Sequence, residues 1–499
     1  MQKTISIIGS GFSALSAACY LAKAGCKVSI FEKNNTVGGR ARQLVKDGFT
    51  FDIGPSWYWM PDIFEKFFND FGKSTSDYYQ LDKLSPAYKI FFSDDVITIG
   101  DHMDQICEEF ERIESGSSKP LRKFIARAQE HYDIAINKVV LKPGLSPFEL
   151  VTKETITRVD RFFRTISTEV RKNFKNPKLI STLEFPVLFL GAKPNQTPSF
   201  YSFMNFADFG LGTWHPKGGM YQIIKAMKSL AESLGVTIIE QCQYTAHSGQ
   251  SPLNVETSQG NICANHLVFA VNAWLPTLKP QFQRNIVLVS SDMAITKPMP
   301  ETLNHLSLNH GAAIIDSRIF VNYYRTTTDG RLMLGKGGNY FSFANRMSDK
   351  FEQPSRYQTL LNNSLSRFFP NHNFEIDRTW TGPSDRSVTG FPFFGHLDNQ
   401  ANVIYAGGYS GNGVVQSFLG ANILCALILK NAPVWQHCGL VNQTLDNFVV
   451  EPFRTVGAYL IRNAIRRKER AEDNNTHVNP IDTYLASLIG SAGKVDMKS

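Results

Sequence analysis

The sequence predicts an α/β fold: one parallel sheet, interrupted by a helix-rich insertion and by a separate β-rich segment. Three observations predict it. Thr4 to Ile8 is a short apolar, β-branched run that passes through a glycine turn into a helical pattern and a second strand. A strand, a glycine turn and a helix recur near the other end, in "NVIYAGGYSGNGVVQSFLGANILCALIL". Between them, "NIVLVSSDMAIT" and "RIFVNYYRTT" alternate with the two-residue period of strands.

The elements follow in order. Thr4 to Ile8 reads as the first buried strand of a parallel sheet. Gly9, Gly11 and Ala14 then fall at the G-x-G-x-x-G/A spacing, with Phe12 and Ser13 inside the turn. Gly9 permits the tight turn, Gly11 lets a pyrophosphate approach the backbone, and Ala14 lets the helix pack on the strand. The helix from about Ser13 to Ala24 points its free amides and dipole at the phosphates. Lys27 to Phe31 is the next strand, closed by Glu32 and Lys33. An acid at the end of that strand bonds ribose hydroxyls and repels a 2′-phosphate. The unit is a Rossmann-like dinucleotide site.

"NNTVGGRARQLVKDGFTFDIGPSW" follows, with Gly38, Gly39, Arg40, Arg42, Asp52, Gly54 and Pro55. Glycine amides and guanidinium forks suit a long pyrophosphate cofactor, where a simple nicotinamide domain would pass into another helix. The closing turn runs through Gly408, Ser410, Gly411, Asn412 and Gly413 into a helix that begins at Val414. The stretch after Glu32 resembles the second FAD motif of the glutathione-reductase-2 flavoproteins. That resemblance implies FAD, with the closing turn meeting the flavin ring or its ribityl chain.

Two finer resemblances divide the chain. Up to about residue 240 it resembles bacterial carotenoid (phytoene-type) desaturases, in "GGRARQLVKDGFTFDIGPSWYWMPDIFEKFF" and "LEFPVLFLGAKPNQTPSFYSFMNFADFGLGTWHPKGGMYQIIKAM". From about residue 245 it resembles D-amino-acid-oxidase-type (DAO) amine oxidoreductases, in "LVFAVNAWLPTLKP", "FVNYYRTTTDGRLMLGKGG", "WTGPSDRSVTGFPFFGHL" and "EPFRTVGAYLIRNAIRRKERAED". The chain reads as a hybrid of the two. The expected FAD-binding pieces are 1–75, 215–280 and 385–435. A helical insertion is expected at 76–214, a β-rich substrate domain at 281–384, and a tail with a basic helix at 436–499.

The resemblance places the β-rich segment over one face of the flavin, so candidate catalytic residues are sought there. Tyr323 and Tyr324 are adjacent in a strand, and only one can face inward. Arg386 could clamp a substrate carboxylate, or pair with Asp385 or a carbonyl; the structural reading is favoured. His215 is read as a loop residue rather than a general base. Trp57, Tyr58 and Trp59 either wall an apolar channel or pack in the core. No metal-ligand cluster or Ser-His-Asp arrangement stands out.

Seven scattered cysteines without a C-x-x-C pair argue for reduced thiols in the cytosol, and the net charge of +8 demands no nucleic acid. The N-terminus runs straight into a strand, which predicts no signal peptide, and no apolar run approaches the ~20 residues of a membrane span. An anionic membrane surface is a candidate partner. Val159, Phe162, Phe163, Ile166, Val170 and Phe174 form a helical stripe among Arg158, Arg161, Arg164, Arg171 and Lys172. The same stripe fits a core-facing helix, which is the favoured reading. Arg462 to Arg470 is read as a solvated basic face. Three functions stay open: a desaturase of an apolar polyene (favoured), an amine or amino-acid oxidoreductase, and a flavin-binding hybrid without a matched substrate.

Overall fold

The computed structural model describes residues 2–46, 48–92, 94–136, 164–190, 193–306, 308, 313–316, 320–347, 351, 354–397 and 400–488. It opens with β1 (Thr4–Ile8), α1 (Phe12–Lys23) and β2 (Lys27–Phe31), within a residue of the expected bounds. A hairpin of β3 (Gln43–Lys46) and β4 (Phe49–Asp52) precedes α2 (Pro61–Asn69). Then come β5 (Leu81–Lys83), β6 (Tyr88–Phe91), β7 (Val96–Ile99), α3 (Met103–Ile113) and α4 (Ser118–Ile134). Next are α5 (Ile166–Asn173), α6 (Pro177–Glu184), β8 (Trp214–Pro216), α7 (Tyr221–Ser233) and β9 (Thr237–Ile239).

β10 (Tyr244–Ser248), β11 (Leu253–Thr257) and β12 (Gly260–Ala264) form a small antiparallel sheet before β13 (His266–Phe269). The β-rich segment supplies β14 (Ile286–Thr296), β15 (Ala313–Ile315), β16 (Asn322–Thr326) and β17 (Leu332–Phe341). α8 (Gln358–Phe368) and β18 (Ile376–Ser387) complete it. β19 (Phe393–Leu397), β20 (Gln400–Gly407) and α9 (Gly413–Leu429) follow, with α10 (Phe453–Asp473) and α11 (Pro480–Ser487) at the end.

The first large sheet has the order β19-β20-β13-β1-β2-β9, all parallel except the edge strand β19. Three distant stretches of chain therefore meet at one edge, where their strands end in turns. α1 and α9 pack together on it. α9 is apolar nearly all round (Ala421, Ile423, Leu424 and Ile428 are wholly buried), as a helix enclosed on every side must be.

The second sheet has the order β18-β14-β17-β16-β15-β6-β7. Two expected boundaries shift here. β6 and β7 come from the stretch expected to be the helical insertion, yet β6 pairs in parallel with β15, Lys89 beside Ile314. A lone two-stranded hairpin is marginal in water, and joining the sheet supports it. β18 also runs on to Ser387, past the expected end at 384, because it pairs with β14 along nearly its whole length.

Two helical expectations change as well. The stripe from Val159 to Phe174 does not form one helix: Thr165 caps α5, accepting from the Thr168 amide at 3.2 Å, so the helix starts at Ile166. Ile166, Val170 and Phe174 are wholly buried against Phe110, Leu121 and Leu183. Val159, Phe162 and Phe163, with Arg158 and Arg161, lie outside the described residues. The basic run Arg462 to Arg470 is not simply a solvated face. Arg462 donates to the Asn339 carbonyl and Arg466 to Asn339 Oδ1 at 2.7 Å, while Ala464 and Ile465 are wholly buried. Both arginines reach polar groups at the end of β17, which pulls this face of α10 onto the sheet. Among the described residues, no helix is long and apolar enough to cross a membrane.

Candidate functional site

The turn after β1 is forced to be glycine. Gly9 has φ +96°, and a Cβ there would lie 2.8 Å from the Ala270 carbonyl oxygen at the end of β13. Gly11 is the N-cap of α1 in extended backbone, and a Cβ on it would meet nothing within 4 Å. No side chain caps α1 and no acid sits in its first turn, so its amides and dipole face open space. Phe12, Ser13 and Ala14 are buried beneath it. Glu32 is buried at the end of β2, accepting from the Ser10 hydroxyl and the Asn34 amide, which fixes its carboxylate beside the turn. Lys33 is exposed instead, with its ammonium 4.6 Å from the Trp274 ring centre.

The second glycine stretch folds onto the first. The Gly38 amide donates to the Ser10 carbonyl at 3.0 Å, and a Cβ on Gly39 would stand 3.3 Å from Gly11 Cα. A Cβ on Gly54 would collide with the Arg40 carbonyl oxygen at 2.0 Å, so Pro55 and the residues after it are drawn tight against the loop. Arg40 reaches across to β18, donating to the Pro383 carbonyl at 3.3 Å and facing Asp385 at the same distance. Arg42 donates back to the Gly39 carbonyl at 2.8 Å and braces its own turn. Asp52 accepts from the Met220 and Tyr221 amides and so caps α7 rather than facing the loop.

The closing turn meets both. The Tyr409 hydroxyl is 2.7 Å from Ser13 Oγ, which ties it to the first turn. Gly408 and Gly411 adopt positive φ, and the Ser410 hydroxyl accepts from the Ser387 amide at 3.0 Å. Arg386 donates to the Ser410 carbonyl through Nη1. Asn412 is the N-cap of α9 without a side-chain cap, and Gly413 and Val414 open that helix. The three glycine stretches thus converge from residues far apart in sequence.

Two residues that sequence reasoning did not assign to the site also lie here. Asp385 is wholly buried and, apart from facing Arg40, its carboxylate oxygens have no hydrogen-bond partner among the described residues. Asn272, just after β13, has φ +47° and an equally unpartnered, buried Oδ1. The sequence signal for Asn272 was its place at the end of a strand neighbouring β1. Uncapped helix ends, the open space over Gly11 and these orphaned oxygens fit a long, polar dinucleotide. Bound there, Glu32 would take the ribose, the amides of α1 the pyrophosphate, and the turn at 408–414 the far end.

The second sheet faces this cradle. Tyr324 is buried under α8 and donates to the Ser364 carbonyl at 3.1 Å, so packing occupies it. Tyr323 takes the opposite face, with Met293, Met333 and Trp380, against Phe51 and Ile53. Its ring lies flat over Gly335, and its hydroxyl points at Met293 Sδ and Ser291 Oγ, 3.2 and 3.3 Å away. Tyr58 is wholly buried and stacked on Phe64, while Trp57 and Trp59 flank it half-buried. His215 lies in β8 rather than in a loop, because Trp214–Pro216 pairs with β5. Its Nδ1 is 2.7 Å from Arg325 Nη1. Burial and that neighbouring charge push its pKa down to about 3, which keeps the imidazole neutral and makes it a weak proton acceptor.

Sheet order, glycine turns and uncapped helix ends define a dinucleotide-binding α/β protein. Residues 7–72 match an NAD(P)-binding Rossmann-like domain, and residues 192–427 match the DAO family, described as FAD dependent oxidoreductase. The second match begins ahead of the change expected near residue 245, since the FAD-domain stretch around α7 is common ground. A carotenoid 3,4-desaturase of Haloarcula japonica is 40% identical over 237 residues, 47% of this chain and 48% of that protein. A zeta-carotene-forming phytoene desaturase of Myxococcus xanthus is 32% identical over 237 residues, 47% of this chain and 46% of that protein. The chain spans about half the length of the curated relatives it matches. Among solved folds, a Rab GDI from Plasmodium falciparum superposes with a TM-score of 0.55 at 11% identity, covering 89% of this chain and 99% of that one. Putrescine oxidase bound to putrescine gives 0.51 at 16%, covering 86% and 100%. The matched residues are those of an FAD dependent oxidoreductase region joined to a Rossmann-like dinucleotide domain, and the cofactor is FAD.

Proposed function

We propose that the chain is a desaturase of carotenoid type, taking a hydride equivalent from an apolar polyene precursor. One observation carries this reading. Trp59, Met60, Tyr132, Phe203 and Phe206 form a continuous apolar cluster with Val415, two residues past the closing turn. Aromatic side chains of the insertion are therefore packed continuously up to the end of the flavin cradle, the kind of apolar wall a long hydrocarbon requires. Bound FAD supplies the two-electron acceptor. The residues around it do the rest: the glycine turns and Glu32 hold it, and Tyr323, Met293 and Trp380 exclude water from the sheet face opposite. The relatives named as desaturases support the class.

A second reading, an amine oxidoreductase, is favoured by the match of residues 192–427 to the DAO family. Against its amino-acid form, Arg386 already spends Nη1 on the Ser410 carbonyl. The test is anaerobic bleaching of the flavin by a polyene in liposomes, beside a panel of amines and amino acids. Bleaching by the polyene is expected. Bleaching by an amine alone would establish the second reading, and bleaching by nothing would leave a flavin-binding chain without a matched substrate.

A seat on an anionic membrane belongs to the same reading, since the substrate dissolves in lipid. The buried half of the 159–174 stripe does not support it. The C-terminal helices do: Phe453, Val456 and Leu460 line the exposed side of α10, and Ile481, Tyr484 and Leu488 that of α11.

A further inference from the structure

At the end of the first sheet opposite the glycine turns lies a cavity of about 510 Å³. β1, β13 and β20 begin at it: Lys3, His266 and Gln400 line it, together with Asn402, Gln2 and Gln250. β1 and β20 then run away from it into the glycine turns after Ile8 and Gly407, so the cavity is separate from the flavin cradle. Its volume is that of a small-molecule site. Gln2 and Gln250 are exposed on its rim. Among the described residues, neither a carboxylate nor a large apolar side chain lines it.

Lys3 is half-buried and donates to the Ile428 carbonyl at 2.9 Å, near the end of α9, which uses one of the three donors of its ammonium. Lys430 ends that helix in left-handed backbone, at φ +57°. Two ammonium charges exceed the roughly half charge of a helix end, so the surplus here is positive. Burial, then Lys3, Lys430 and His396, push the pKa of His266 down to about 4. Burial also lowers that of His396, although a backbone bond to Ala401 opposes the fall. Three buried atoms at this place have no hydrogen-bond partner among the described residues: Nδ1 of His266, Nδ1 of His396 and Oε1 of Gln400. The helix end accounts for the lysines but satisfies none of these three.

We propose that this cavity binds a small, soluble phosphomonoester that carries hydroxyl groups, a ligand distinct from FAD. A phosphate dianion answers the surplus positive charge of Lys3 and Lys430. It also draws a proton onto His266, the imidazole that lines the cavity, whose Nδ1 then donates to it. A hydroxyl supplies the donor that Gln400 Oε1 lacks, which a purely anionic ligand does not. The exposed amide rim suits a polar body rather than an acyl chain, and so selects a soluble phosphate over a lipid headgroup. The site is independent of what the flavin oxidises, because no residue of the cradle or of the second sheet lines it.

The experiment uses the FAD-loaded protein, whose cradle is filled, and reads binding by titration calorimetry with ribose 5-phosphate, inorganic phosphate and ribose. Ribose 5-phosphate is expected to bind most tightly, inorganic phosphate about fivefold more weakly, and ribose not at all. Lys3→Gln and His266→Leu should each weaken ribose 5-phosphate about tenfold while the flavin spectrum holds. Gln400→Leu should bring it down to the level of inorganic phosphate. Sulfate, whose own charge is constant, isolates the proton on His266. Its affinity should rise from pH 8 to pH 5 in the wild type and stay flat in His266→Leu. If Lys3→Gln or His266→Leu does not fold, Lys430→Asn carries the test, at an exposed residue whose left-handed backbone asparagine tolerates. It should weaken binding about threefold. No binding of either phosphate by the wild type overturns the site, and so does binding that every variant leaves unchanged. Retention on phosphatidic acid vesicles that Lys3→Gln abolishes, with no binding of ribose 5-phosphate, would assign these cations to a lipid headgroup and overturn the soluble ligand.

Discussion

At the scale of single residues, Asp208 shows how burial sets a pH dependence. It is 1% exposed, accepts from the Tyr88 hydroxyl through Oδ2, and leaves Oδ1 without a partner. Burial pushes its pKa from 3.8 to about 7, although the bond from Tyr88 opposes the rise. Below pH 4 the carboxyl is protonated in the folded and unfolded chain alike, and nothing is lost. Between about 4 and 7 the unfolded chain releases the proton while the folded chain holds it, so stability falls as pH rises. Asp208→Asn should flatten that decline, gaining a few kcal/mol on the wild type at pH 7.5 and little at pH 4.5. Thermal unfolding across that range checks it; parallel curves for the two proteins would show that Asp208 does not titrate there. Residue identity was readable wherever one residue type is obligatory. Gly9 and Gly54 were legible because a side chain at either would collide with a backbone carbonyl. Arg325 was not, since its partners His215 and Ser56 lie 110 and 269 positions away and no local pattern links them.

Elements were legible in kind but not in partner. A 3.6-residue stripe says that one face is apolar; it does not say whether protein or lipid covers it. The 159–174 stripe is the instance: its described half, Ile166, Val170 and Phe174, packs into the same core as α3, α4 and α6. Phe174 meets Phe110 edge-on with ring centres 6.1 Å apart. Phe174→Ala should therefore cost about 3–5 kcal/mol of stability, as deletion of a wholly buried aromatic does. A denaturant titration measures this, and a cost below about 1 kcal/mol would mean the core collapses around the gap. Strands behaved alike. Alternation located β14 and β16, and the adjacency of Tyr323 and Tyr324 guaranteed opposite faces. Which face met the cradle depended on Phe51 and Ile53, which reach it from the first sheet's segment of the chain.

For the whole molecule, the Rossmann-like parallel sheet was legible from paired glycine turns, whereas the partnership of β6 with β15 was not, because no sequence period encodes which edges meet. The same holds for surfaces, and the membrane prediction now turns on the C-terminal helices. Phe453, Val456 and Leu460 recur at i, i+3 and i+7 on α10, at 69, 53 and 55% exposure. Arg467 and Arg470 continue the exposed side of that helix. Ile481, Tyr484 and Leu488 repeat the spacing on α11, which Arg467 joins to α10 through Asp482 at 2.6 Å. Six large apolar side chains in water are more than isolated surface residues explain. α10 cannot roll them inward, because Arg462 and Arg466 pin its other side to Asn339. Apolar side chains beside arginines, on a chain of net charge +8, complement an anionic lipid surface. The FAD-loaded protein should pellet with anionic vesicles, and less so as salt screens the arginines. Phe453→Asp with Leu460→Asp should cut pelleting at least fivefold while the flavin spectrum and melting temperature hold, since neither side chain supports the core. Pelleting that the double variant leaves unchanged, or a wild type that stays in the supernatant, would remove these helices from any membrane role.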